Sequence, residues 1–266
     1  MKKQRLDSLV YERGFTESRE RARTTVMSGL VFVNGQRVDK PGTAVSPDAQ
    51  IEVRGEALPF VSRGGFKLDK ALKVFPVDPA GKICLDCGAS TGGFTEVLLQ
   101  HGAAKVYAVD VGYGQLAWKL RTDARVVNLE RTNLRYITAE QIPEAIELAV
   151  MDVSFISVRL VIPAVRRLLK PDADLICLIK PQFEAGREEV GKKGVVRDSE
   201  VHVRVVEGIL DFARTEGLSV QGFDYSPIRG PEGNIEYICH LKNNTEPGCT
   251  PDVRAVVSAS HRDLDS

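Results

Sequence analysis

"CLDCGASTGGFTE", residues 84–96, decides how the rest of the chain is read. An apolar run enters a glycine turn, and a helical pattern follows it. Strand, glycine turn and helix in that order form the unit on which α/β proteins hold nucleotide-like ligands. The dinucleotide fingerprint G-x-G-x-x-G is not met, because Ser90 stands where its second glycine belongs. No G-K-[ST] follows, which excludes the phosphate loop of NTPases. Both cysteines of C-x-x-C lie in the strand, not at a helix start where a thiol would be activated. No second ligand pair completes a zinc site, so no metal is expected.

Working outward, strands and helices alternate. A helix is expected over 63–75, with Phe66, Leu68, Ala71, Leu72 and Phe75 inward. "KICLDCG", "AKVYAVDVG", "ARVVNLE", "AIELAVMDVSF", "ADLICLIKPQF", "LSVQGFDYSP" and "GNIEYICHLK" read as strands. Helices are expected at "GGFTEVLLQHG", "GQLAWKLRTD", "ISVRLVIPAVRRLL" and "SEVHVRVVEGILDFARTEG". The fold class is α/β, a Rossmann-like seven-stranded sheet. No helix separates the last two strands, so they should pair antiparallel.

Upstream, helices are expected over 5–15 and over 16–29, the second capped by Thr16. "LVFVNGQRV" is a hairpin, since Asn34-Gly35 suits a type I′ turn, and a strand follows at 49–55. This gives a small N-terminal α+β domain at 1–58. "GEALPF" (55–60) is linker in character, and the boundaries are set at 59–62 for the linker and 63–242 for the larger domain. The tail, 243–266, is Pro/Gly/Ser/Asp-rich and is expected to be mobile.

The chain has 266 residues with 36 Lys+Arg and 36 Asp+Glu, so net charge names no partner. Its distribution is more informative. Residues 1–23 carry seven basic side chains (Lys2, Lys3, Arg5, Arg13, Arg19, Arg21, Arg23) against four acidic ones, the footprint of a nucleic-acid contact. Five cysteines make a disulfide scaffold improbable. Neither a signal peptide nor a membrane span is legible, so a cytoplasmic protein without membrane contact is expected.

The ligand class follows from the acids around the turn. Asp86 ends the first strand and Asp110 the second. Carboxylates there accept hydrogen bonds from ribose hydroxyls and attract a sulfonium or amino group. A neutral-to-cationic nucleoside such as S-adenosylmethionine meets that description. Three further charges stand in or at the ends of apolar strands: Asp152, Lys180 and Glu236. Such positions rarely hold charges unless they are paired or functional. Asp152 and Lys180 end neighbouring strands at the ligand edge of the sheet. Lys67 can reach the same crevice, although nothing local distinguishes it from Lys70.

With these motifs in hand, the chain resembles a known family. "SRGGFKLDKAL", "CLDCGASTGGFTEVLLQHGAAKVYAVDVGYGQLAWKLR", "LERTN", "MDVSFIS", "KPQFE", "GVVRD" and "GNIEY" are similar to those of the TlyA/hemolysin A ribosomal RNA 2′-O-ribose methyltransferases. The resemblance covers residues 1 to about 242. It implies an alpha-L RNA-binding domain, like that of ribosomal small-subunit protein four, before an FtsJ-like methyltransferase domain. It implies a catalytic tetrad of Lys67, Asp152, Lys180 and Glu236. It also implies methylation of ribosomal RNA, with cytidine as the expected target and ribosomal subunits as partners. For S-adenosylmethionine it points to Asp86, Gly88, Ala89, Ser90, Thr91, Gly92, Gly93, Phe94, Asp110, Glu130 and Asn133.

A ribose 2′-hydroxyl is a weak acid, so the catalyst must remove its proton and align oxygen, methyl carbon and sulfur. Lys180 is the expected base, its pKa lowered by burial and the Lys67 cation. Asp152 would orient it, and Glu236 would hold the ribose or Lys67. RNA contacts are expected at Arg5, Arg19, Arg21 and Arg23. Lys192, Lys193 and Arg197, on the glycine-spaced loop 180–198, are added to them. Three other readings are an RNA-binding assembly factor without catalysis, a membrane-active hemolysin and an NAD-dependent reductase, the last disfavoured by Ser90 and the lack of an acid/base histidine. The intact tetrad opposes the first, and the lack of a long basic amphipathic stretch opposes the second.

Overall fold

The computed structural model describes residues 3–54 and 59–264. Lys2 and residues 55–58, including the expected 58/59 boundary, lie outside them. Leu6, Leu9 and Val10 put one apolar stripe on α1 (Leu6–Glu12), which packs against α2 (Arg19–Met27). Ser18, not Thr16, caps α2, its side chain accepting from Arg21 N. A short strand β1 (Gln4–Arg5) pairs with β4 (Ala44–Val45). The hairpin of β2 (Val31–Val33) and β3 (Gln36–Arg37) turns through Asn34 and Gly35 at φ 50° and 79°. Both angles are positive, as a type I′ turn requires. Strand β5 (Ile51–Val53) completes a three-stranded sheet, order β3-β2-β5.

Helix α3 (Gly65–Val74) precedes the large sheet of β6 (Ile83–Cys87), β7 (Lys105–Val109), β8 (Val126–Leu129), β9 (Ile146–Met151), β10 (Leu169–Ile179), β11 (Ser219–Tyr225) and β12 (Tyr237–Lys242). Interleaved are α4 (Gly93–Gln100), α5 (Trp118–Arg121), α6 (Ile162–Arg166), α7 (Pro181–Glu184) and α8 (Ser199–Thr215). The order is β11-β12-β10-β9-β6-β7-β8, and β12 runs antiparallel to both neighbours. The chain leaves β6 in one direction and returns to its other side at β9. That makes the gap between β6 and β9 the switch point where an open α/β sheet holds ligands.

The two-residue period of the strands sorts side chains onto two faces. Leu85, Cys87, Tyr107, Val109, Ala149, Met151, Leu175 and Cys177 join one core with α6 and α8. Cys84, Val106, Ala108, Leu148, Val150 and Ile176 join the other with α3 and α4. Burying one such Leu fully contributes about 1.5–3 kcal/mol. Cys84, Cys87, Cys177 and Cys239 are buried free thiols, as the strand reading expects. Burial pushes the Cys84 thiol up to about 12, far from a reactive thiolate.

Further expectations change. The helix of 156–169 breaks into a 3-10 turn at Val158–Leu160 and the short α6. Pro163 has no amide to donate and is tolerated only in a first turn, so α6 must start beside it. Strand β12 begins at Tyr237, which places Glu236 just before the strand and not within it. The tail, expected to be mobile, carries α9 (Val253–Leu264), which packs on α8 and β11. Val253 and Val257 sit one turn apart and are buried, a pattern that the polar composition of the whole tail concealed. Among the described residues no helix is long and apolar enough to cross a membrane.

Candidate active site

The glycine turn after β6 is pressed against the end of β9. Asp152 N donates to Cys87 O at 3.0 Å, and Gly88 N and Ala89 N both donate to Val109 O. Gly88 has φ +87°, and a Cβ there would lie 2.9 Å from Asp152 O. Only glycine fits that approach without backbone movement. Strand topology then delivers the charges. Asp152 and Lys180 directly follow the parallel strands β9 and β10. Because β12 is antiparallel to β10, its beginning lies at the edge where β10 ends, and Glu236 joins them. Lys67 comes from the first turns of α3.

The four side chains make a connected ion network. Lys180 Nζ is 2.6 Å from Asp152 Oδ1. Lys67 Nζ is 3.2 Å from Asp152 Oδ2 and 2.6 Å from Glu236 Oε2. Lys180 Nζ also donates to Ser154 Oγ at 2.9 Å, and Gln182 Nε2 to Glu236 Oε1 at 3.3 Å. All four are nearly or fully withdrawn from solvent, with side-chain exposures of 8% for Lys67, 17% for Asp152, 7% for Lys180 and 1% for Glu236. Burial opposes the charge on Asp152, but the Lys67 and Lys180 cations outweigh it and hold the carboxyl below its ordinary range. Burial opposes the Lys67 charge too; Asp152 and Glu236 overcome it and raise the ammonium pKa. Lys67 is therefore a fixed cation. Lys70, the other candidate on that helix, points elsewhere: its Nζ lies 3.0 Å from Asp224 and donates to Tyr225 O.

The network opens on a cavity of about 580 Å³. Gly88, Ala89, Ser90, Thr91, Gly93 and Phe94 line one side of it, and the tetrad lines another. That volume lies in the range of small-molecule sites, and the bare glycine backbone faces it, so the turn fits a nucleoside-bearing donor. Other expected ligand residues do not reach this cavity. Asp86 is fully buried below the turn, where Oδ2 accepts from Thr95 Oγ1 at 2.6 Å and Oδ1 has no partner among the described residues. Burial pushes its carboxyl up to about 7. Gly92, at φ +96°, abuts Leu116 and Leu120. Asp110 holds the turn itself, accepting from Ser90 N at 2.8 Å and Gly112 N at 2.7 Å. Glu130 pairs with Arg121 and accepts from Gly114 N, while Asn133 caps a 3-10 turn. These side chains shape the wall around the turn.

Sequence reasoning passed over several lining residues. Ser154, Gln182 and Phe183 carry no signal of their own. Phe155 is 91% exposed with φ +62°, and its ring lies 5.1 Å from that of Phe183. A left-handed, exposed phenylalanine is strained and unfavourably solvated, a common mark of a functional position. Arg37, from the small N-terminal sheet, and Arg63 also line the cavity.

Of the expected RNA contacts, Arg5 forms a bidentate pair with Asp7, and Arg19 donates to Ser8 Oγ. Arg23, Lys192, Lys193 and Arg197 are exposed. Arg13 is structural: it donates to Ala49 O and Pro47 O.

Residues 60–243 match the FtsJ-like methyltransferase family, and residues 4–51 match the S4 domain. The chain belongs to the FtsJ-like methyltransferase family. It is 54% identical over 241 residues to YqxC of Bacillus subtilis (strain 168), a candidate rRNA methyltransferase, across 90% of this chain and 86% of YqxC. It is 45% identical over 259 residues to the 16S/23S rRNA (cytidine-2′-O)-methyltransferase TlyA of Mycobacterium tuberculosis (strain ATCC 25618 / H37Rv), across 97% of this chain and 96% of TlyA. A solved Streptococcus thermophilus structure, described as a candidate hemolysin, superposes with a TM-score of 0.80 at 46% identity, over all of this chain and 98% of that one. This FtsJ-like methyltransferase with an S4 domain falls in the TlyA/hemolysin A group, and its methyl donor is S-adenosylmethionine.

Proposed function

We propose that this FtsJ-like methyltransferase methylates the 2′-hydroxyl of a ribosomal RNA ribose, a cytidine ribose as the name of the TlyA relative indicates. The observation that carries the reading is the Lys67, Asp152, Lys180 and Glu236 network facing the same cavity as the glycine turn. When bound, S-adenosylmethionine supplies an electrophilic methyl group on a sulfonium. Lys180 acts in its neutral amine form, having first released a proton to solvent, and takes the hydroxyl proton as the O–H bond breaks, while Asp152 fixes the direction of its Nζ. Lys67 and Glu236 hold each other and present fixed groups to the ribose hydroxyls. Phe155 offers an exposed ring on which a base can stack.

Residues 1–58, with Arg5, Arg19, Arg21 and Arg23, grip ribosomal RNA, and Lys192, Lys193 and Arg197 contact its phosphates near the site. The methyltransferase domain spans 63–242, and the protein works in the cytoplasm with ribosomal subunits.

The test is to map 2′-O-methyl groups in ribosomal RNA from cells with and without the gene, and to treat the undermethylated subunits with purified protein. At least one ribose should differ between strains and be restored in vitro. Identical maps would overturn the reading.

A further inference from the structure

Five cations line the cavity: Arg37, Arg63, Lys67, Lys180 and Arg229. Lys67 and Lys180 are neutralised within the tetrad, two cations against the two carboxylates of Asp152 and Glu236. The floor of the site therefore has no positive charge left for a phosphate. An RNA nucleotide nevertheless brings a phosphodiester on each side of its ribose. Among the described residues neither the Arg37 nor the Arg63 guanidinium has a hydrogen-bond or ion-pair partner. Asp39 and Glu232 line the same rim and pair with neither.

The two arginines come from different domains. Arg37 closes the S4 hairpin on β3, and Arg63 lies just before α3, which carries Lys67. The Arg37 side chain is exposed and rests beside Gly29. A Cβ at Gly29 would stand 2.1–2.4 Å from its guanidinium, so the arginine lies against the bare backbone where α2 ends. The negative end of a helix favours a cation there. Arg63 is half-buried, and a half-buried charge without a partner is costly until an anion arrives.

We infer that Arg37 and Arg63 form a phosphate clamp across the domain junction, binding a phosphodiester next to the target ribose. The S4 domain then completes the catalytic pocket as well as gripping RNA at a distance. The inference rests on the proposed action on ribosomal RNA. Planar guanidinium groups match phosphate oxygens in pairs, which makes the clamp a device for register as well as affinity.

The experiment uses the full chain, with ribosomal subunits from cells lacking the gene as the probe. Arg37→Ala and Arg63→Ala should each raise the KM for subunits on the order of tenfold while kcat holds, since a charged hydrogen bond made equally in ground and transition states is lost. The dependence of log affinity on log salt should flatten by about one per arginine removed. A role confined to folding would leave that slope alone. Arg37→Lys keeps the charge and should recover part of the affinity. Calorimetry should give unchanged affinity for S-adenosylmethionine in every variant.

Wild-type KM and an unchanged salt slope in both alanine variants would overturn the clamp. So would lost donor affinity in Arg63→Ala, which would assign that arginine to the methionine carboxylate. Failure of the functional reading shows separately, as no methyl transfer by the wild-type chain, and the clamp falls with it.

Discussion

Asp152 and Lys180 close an ion pair of 2.6 Å between the ends of two neighbouring parallel strands. The same carboxylate also meets Lys67, so one anion holds two buried cations in place. Asp152→Asn would leave those cations facing each other. Breaking a buried pair in this way costs about 3–5 kcal/mol. The variant should unfold at markedly lower denaturant concentration and should methylate no RNA. Chemical unfolding followed by circular dichroism, beside a methyl-transfer assay, measures both; wild-type stability would refute the electrostatic account.

Lys180 can be questioned more finely. Lys180→Ala should cut turnover about 10²- to 10⁴-fold, the usual contribution of a positioned acid or base, with RNA affinity near wild type. Arginine keeps the charge but does not give up its proton. If Lys180 is the base, Lys180→Arg is as inactive as Lys180→Ala. Substantial activity in the arginine variant would make Lys180 a fixed cation instead.

Asp86 links stability to pH. Its folded carboxyl, raised to about 7 by burial, keeps a proton that the unfolded chain releases in the ordinary carboxylate range. The folded state binds more protons between those two values, so stability falls as pH rises through that window and levels above about 7. The size is on the order of 4 kcal/mol between the ordinary carboxylate range and about 7. Asp86→Asn cannot titrate, and its stability should be flatter over the same range. Parallel slopes for the two proteins in urea unfolding at several pH values would show that Asp86 does not carry the effect.

Asp110 supports the glycine turn from behind. Removing its carboxylate leaves Ser90 N and Gly112 N without their acceptor. Asp110→Ala should weaken S-adenosylmethionine binding about tenfold or more, since unmet amides cost about 1–3 kcal/mol and the turn loses its shape. Equal affinities by calorimetry would place the donor away from this turn.

The alternation of strands and helices was legible because a doubly covered sheet needs apolar residues at periods of two and 3.6, and these survive in a bare sequence. The hairpin at Asn34-Gly35 was legible for a local reason, the positive φ of both turn residues. Short elements read less well. Helix α5 was expected over ten residues and spans four, because nothing local marks where a solvent-facing turn stops being helical. Helix α9 was hidden in a polar tail, because its stability comes from docking on α8 and β11.

The site divides in the same way. Sequence alone singled out Asp152, Lys180 and Glu236, since charge at the end of an apolar strand is costly and therefore informative. It also determined the glycine turn, because turn, strand and helix are neighbours in the chain. Local pattern left Lys67 and Lys70 equal and the family resemblance picked Lys67; the tertiary structure supplied the reason, since both lie on one helix and only packing decides which side faces the crevice. It likewise showed Asp110 accepting from the turn amides Ser90 N and Gly112 N and brought Arg37 of the S4 sheet to the methyltransferase cavity. Contacts between residues far apart in the chain depend on how strands are ordered and domains docked, and local patterns of apolar and charged residues do not encode that order.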